Sequence, residues 1–168
     1  MGRLSAARYR LSQLRWSLGA RLQERDRAWV EGILSPAEQT LFFRMPSYDQ
    51  THSVLVARDL EGAGAEEWLL RAALLHDCGK TLPDHRVPLL YRGGVVLVRV
   101  LSSRLLHVLA RPSGPLWPVY LHVHHPELGA QVLEQAGSPP EVVSIVRTHQ
   151  EPTSDPVLQQ LQQADARH

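Results

Sequence analysis

The stretch Ala72-Ala73-Leu74-Leu75-His76-Asp77-Cys78-Gly79-Lys80 passes from an apolar run to a knot of ligand and charge chemistry within a few residues. Trp68, Leu69, Ala72, Ala73 and Leu75 fall at helical spacing, so the segment reads as a helix that packs against a core. It ends near Asp77-Cys78-Gly79, with Gly79 as the stop. Nine histidines and seven aspartates in 168 residues predict about 0.4 adjacent His-Asp pairs by chance, so the pair alone decides little. Lys80 adds weight. Of 18 basic residues, 17 are arginine and Lys80 is the single lysine. An ammonium kept in so arginine-rich a chain marks a position that needs a compact point charge, not a planar fork.

Outward from this stretch the signals are helical. A helix is predicted from about Asp49 to Leu60, carrying His52, Val54 and Leu55. Ser35-Pro36-Ala37-Glu38 has the form of a capping box with proline at the first helical position. Ser138-Pro139-Pro140-Glu141 repeats it before Val142 to Val146, and Asp155-Pro156 opens a third helix. Another helix is predicted from Glu127 to Ala136, starting after His125-Pro126 and closed by Gly137. Val95 to Ala110 reads as a helix with Arg99, Ser103 and His107 on one stripe. Its apolar face suits a core, a pocket wall, a homodimer contact or a peripheral membrane contact. The expected class is all-α: a bundle over residues 35–168 with a basic helical extension over residues 1–34.

Composition narrows the function classes. Net charge is +1, which gives no global argument for nucleic acid. Seven arginines in the first 27 residues read as a solvated helix face. Cys78 is the lone cysteine, which excludes an internal disulfide and fits a cytoplasmic protein. The start of the chain has no signal-peptide pattern, and the longest apolar run is too short and too charged to span a bilayer.

The strongest pattern is an ordered set: His52, then His76-Asp77 with Lys80, then His125, His149 and Asp165. Each lies at or near a predicted helix end, from which side chains of several helices can converge. Imidazoles and carboxylates suit Fe, Mn, Co, Ni or Mg, and the lack of cysteine ligands argues against a closed structural zinc site. His122 and His124 compete with His125 for a role, but the Pro-Glu-Leu-Gly-Ala that follows favours His125. Cys78 reads as a packing residue, and His85 and His107 as surface or stripe residues.

Five segments carry a family resemblance: Thr51 to Ala57, Ala72 to Lys80, His125 to Ala130, Ile145 to Gln150 and Gln163-Ala164-Asp165. In this order they resemble the successive motifs of the HD superfamily of metal-dependent phosphohydrolases. The resemblance implies that His52, His76, Asp77 and Asp165 hold a first divalent metal. It implies a second on His125 and His149, bridged by Asp77, which is the ligand pattern of the binuclear branch. Asp77 and Lys80 would be the catalytic pair, with Lys80 neutralising phosphate oxygens and Arg86 or Arg147 adding a bidentate contact. The implied substrate is a small phosphomonoester or phosphoanhydride, with a nucleotide favoured. Gln150 stands where HD-GYP phosphodiesterases have a further histidine, and no Gly-Tyr-Pro follows, which points away from cyclic dinucleotides. The Thr81–His124 segment is longer than in compact diadenosine tetraphosphate hydrolases. A diiron oxygenase of the same superfamily and a non-catalytic regulatory HD module are the rival readings.

Overall fold

The structure is a computed structural model that describes residues 22–82 and 117–168, together with the backbone of residues 85–86. The predicted helix over Val95 to Ala110, the stripe histidine His107 and most of the arginine-rich start lie outside the described residues. Among the described residues the chain forms seven α-helices: α1 (Glu24–Ile33), α2 (Pro36–Arg44), α3 (Ser47–Gly62), α4 (Glu67–Leu75), α5 (Trp117–Gln135), α6 (Pro140–Thr148) and α7 (Pro156–Arg167). A short 3₁₀ turn, Cys78–Lys80, follows α4 and leads into a two-residue antiparallel ladder, with Thr81 opposite Arg86 and Leu82 opposite His85. The all-α expectation therefore holds.

Helix α4 is the axis. Leu69, Leu70, Ala72, Ala73, Leu74 and Leu75 are all buried, so it is apolar nearly all round and must be enclosed. It packs on α1, α2, α3 and α6. Helix α6 lies against α5, α7 against α3, and the 3₁₀ turn against α5. One core runs through the bundle, including Val30, Phe42, Val56, Leu60, Leu74, Leu133, Val146 and Leu161. Val30 and Leu34 come from the segment read as an extension, yet they share this core.

Two of the three predicted helix starts are built as expected. Ser35 accepts from the Glu38 amide while Glu38 accepts from the Ser35 amide. Asp155 accepts from the Val157 and Leu158 amides. The third start differs. Pro139 is the cap of α6, and the Ser138 hydroxyl instead donates to Glu38 Oε1 at 2.8 Å. Glu38 is fully buried and also faces Arg71 at 3.5 Å, so one carboxylate ties together α2, α4 and the entry to α6.

Two glycines matter for different reasons. Gly137 has φ +75° and closes α5, with the Ser138 amide reaching the Leu133 carbonyl at 3.0 Å. Gly79 is not the left-handed stop that its position suggested, since Gly64 and Gly137 are the only described glycines with positive φ. It sits in the 3₁₀ turn, where a Cβ would run into the His125 carbonyl oxygen and come within 2.5 Å of the Gly129 amide nitrogen. Glycine is required there because two backbones touch.

Candidate metal centre

The six predicted ligands converge. His76 follows directly on α4, and Asp77 precedes the 3₁₀ turn. His149 follows on α6, and Asp165 lies in the last turns of α7. His52 and His125 depart from the expectation that each ligand sits at a helix end: both lie inside helices, α3 and α5. Helix α5 is described from Trp117, eight residues before His125, and Pro126 is inside it instead of at its start.

The side chains form two adjoining triads whose ligand atoms lie within 4.8 Å of one another: His52, His76 and Asp165, and Asp77, His125 and His149. In the first, Asp165 Oδ1 is 2.8 Å from His52 Nε2 and 3.6 Å from His76 Nε2. In the second, His125 Nε2 is 3.3 Å from both Asp77 Oδ1 and His149 Nε2. Asp77 joins the two, because its Oδ1 also lies 3.5 Å from His76 Nε2. The first triad opens to solvent, with the His52 and Asp165 side chains 26% and 43% exposed, whereas the His125 side chain is wholly enclosed.

Three of the four imidazoles are held the same way. His76 Nδ1 donates to the Ala73 carbonyl at 2.8 Å, His125 Nδ1 to the His122 carbonyl at 2.7 Å, and His149 Nδ1 to the Val146 carbonyl at 2.7 Å. A carbonyl only accepts, so each Nδ1 carries the proton and each Nε2 is directed at the site. The carbonyl is in each case three residues upstream. For His76 and His149 the helix has just ended, and its last carbonyls lack intrahelical partners.

Electrostatics separate the groups further. Burial opposes charge on His76, but the Asp77 and Asp165 carboxylates outweigh it and push the imidazole up to about 9. Burial pushes His125 down to about 3, reinforced by the Lys80 charge. Burial and the His76 charge push His149 down to about 4. Burial also opposes ionisation of Asp77, yet Lys80 and His76 hold its carboxyl well below the usual range. Asp165 is held low against its burial by hydrogen bonds from His52 and His76. Lys80 Nζ lies 2.6 Å from both Asp77 oxygens.

These donors fit a metal. His125 and His149 are neutral with Nδ1 already donating, so two unprotonated Nε2 atoms face each other at 3.3 Å beside a carboxylate. Lone pairs so placed favour a cation among them, and a nearby amide donor, Gln150 Nε2, lies 3.4 Å from His125 Nε2. Cys78 is no part of this set: burial, then the Asp77 charge, push its thiol up to about 12, and its Sγ faces the Gly129 carbonyl. Arg147 is not at the site. It is held on the surface by Glu127 and Glu134, each at 2.9 Å. Arg86 is described in backbone alone. His122 contributes its carbonyl, and the His124 ring lies 4.3 Å from that of Tyr120.

Gln162 was not singled out from sequence. Its amide donates to the His149 carbonyl at 3.1 Å and to the Glu151 carbonyl at 2.7 Å, pinning the loop behind His149. Local sequence carries no signal for this, since the partners lie across a turn.

The HD domain family matches residues 50–168, most of the chain. This chain belongs to the HD-domain family. That superfamily comprises metal-dependent phosphohydrolases, its domains bind divalent metals, and this HD domain presents two His/Asp clusters that could hold them. No curated protein and no solved structure matches the chain significantly. Among the described residues, no helix of this HD protein is long and apolar enough to cross a membrane.

Proposed function

We propose that this HD-domain protein hydrolyses a small phosphomonoester or phosphoanhydride, with a nucleotide as the favoured substrate class, at a two-metal centre. One observation carries the reading: three imidazoles locked through Nδ1 aim their Nε2 atoms at two carboxylates held ionised. His52, His76 and Asp165 would hold one metal, His125 and His149 the other, with Asp77 between them. When bound, divalent metals held by these residues would supply an activated water and stabilise charge on the phosphoryl oxygens. The chain's own residues prepare for this. Lys80 keeps Asp77 ionised and, with three N–H donors and two carboxylate oxygens to serve, has one left for a phosphate oxygen. The enclosed second triad excludes bulk water from the inner ligands, while the exposed rim of His52 and Asp165 leaves a side open to substrate.

The test is metal content of full-length protein purified anaerobically without an affinity-tag metal column, followed by a nucleotide phosphatase and pyrophosphatase screen. Two metals per chain with turnover on a phosphorylated nucleotide supports the reading. Oxygen uptake by the iron-loaded protein with no phosphate release replaces it with the diiron oxygenase. No metal after reconstitution with Fe, Mn, Co and Mg replaces it with the regulatory module.

A further inference from the structure

His125 poses a problem that His76 and His149 do not. Those two find a free carbonyl three residues upstream because α4 and α6 stop one residue before them. Helix α5 does not stop at His124; it runs on to Gln135. In an uninterrupted helix the His122 carbonyl would accept from the amide of residue 126. That residue is Pro126, which has no amide hydrogen. A proline ring inside a helix also clashes with the carbonyl four residues upstream, here that of His122. The His122 carbonyl is therefore left for His125 Nδ1, which donates to it at 2.7 Å.

We propose that Pro126 is a positioning residue for the inner triad: by withholding one amide hydrogen inside α5 it keeps the helical i+4 bond from forming at the His122 carbonyl, which instead accepts from His125 Nδ1 and fixes that imidazole in its Nδ1–H form with Nε2 aimed at Asp77 and His149. The proline thus turns a mid-helix carbonyl toward the imidazole, as helix ends do for His76 and His149. All three supports are backbone atoms at the same offset. A proline placed only to bend the helix would not need its freed carbonyl to be engaged by the adjacent ligand. The inference rests on the metal-centre reading for its consequence, though its structural half stands without any metal.

The experiment is Pro126→Ala in the full chain, read in two ways. First, ¹⁵N NMR of histidine-labelled, chelator-treated protein reports each tautomer. Wild-type His125 is expected as Nδ1–H, and Pro126→Ala as a mixture, because the new amide competes for the His122 carbonyl. Second, calorimetric titration with Mn²⁺ reports affinity. One of the two binding events should weaken by roughly 10–100-fold, the effect usual for losing an imidazole's outer partner, and the other should stay unchanged. The melting temperature of the chelated variant should rise as α5 gains its missing hydrogen bond, so weaker binding could not be blamed on unfolding. A second variant, with lactic acid in place of Pro126, puts an ester at this bond and removes the N–H without the ring. It should restore both the tautomer and the affinity. Unchanged tautomer and affinity in Pro126→Ala overturn the proposal, and so does an ester variant that behaves like the alanine. If the wild-type protein binds fewer than two Mn²⁺, the two-metal reading fails, and the NMR comparison still decides the role of Pro126.

Discussion

Asp77 has three partners with incompatible wishes: an ammonium, a charged imidazole and a neutral one, all within 3.5 Å of its oxygens. Asp77→Asn keeps the shape and removes the charge. It should abolish metal binding and any turnover while the fold persists, read by metal analysis and circular dichroism; a variant that retains two metals would remove Asp77 from the site. The imidazoles predict a pH dependence of the chelated protein. His125 and His149 are depressed from 6.5, so from pH 6.5 down to about 4 the unfolded chain binds two more protons than the folded one, and stability falls on acidification. His76 is raised from 6.5 to about 9, so its contribution is complete below 6.5 and lost as pH rises to about 9. Chelated protein should therefore be most stable near pH 6.5, with the steeper fall on the acid side, as urea midpoints across pH 4 to 9 would show. A flat profile would contradict the protonation states assigned here. All six candidate ligands were legible as residues, because HD motifs are short and ordered. Their supports were not, because a backbone carbonyl has no letter in the sequence.

At the scale of elements, the contact between the 3₁₀ turn and α5 sets the spacing of Asp77 and His125. Gly79→Ala would drive a methyl into the His125 carbonyl and Gly129 amide. The two backbones must then separate, at a cost of about 1–3 kcal/mol for overpacking. The expected result is a lower melting temperature together with weakened metal binding at the inner triad, read by scanning calorimetry and Mn²⁺ titration. Wild-type affinity would mean that this seam does not set the ligand spacing. Helix starts with local signals, Ser35 and Asp155, were readable because donor and acceptor lie within three residues. Ser138 had the same local pattern, but its hydroxyl is claimed by Glu38, 100 residues away, and no local rule can see that. The start of α5 was misplaced for a related reason: proline ordinarily marks a boundary, and here the helix runs through it.

For the molecule as a whole, Glu38 is the cross-brace. It lies outside residues 50–168, yet its carboxylate meets Ser35, Arg71 and Ser138. Glu38→Ala strands a half-buried hydroxyl, an arginine and a cap amide, and should cost about 3 kcal/mol of stability. A drop in urea midpoint with metal stoichiometry unchanged is the expected pair of results; no change in midpoint would show the brace to be dispensable. The family match therefore spans the candidate ligands, and the packing unit extends upstream of it through Val30, Leu34 and Glu38.

The backbone supports of His76, His125 and His149 have a consequence for how such a centre drifts over time. Every residue type carries the same backbone carbonyl, and all but proline fit a helix interior, so the support given to each imidazole does not depend on which side chain stands at Ala73, His122 or Val146. A saturation library read by metal binding would find the half-buried His122 position permissive, whereas Ala73 and Val146 are restricted by the core they fill. Loss of metal binding would concentrate at the candidate ligands, and also at Gly79 and Pro126, where what counts is a missing atom.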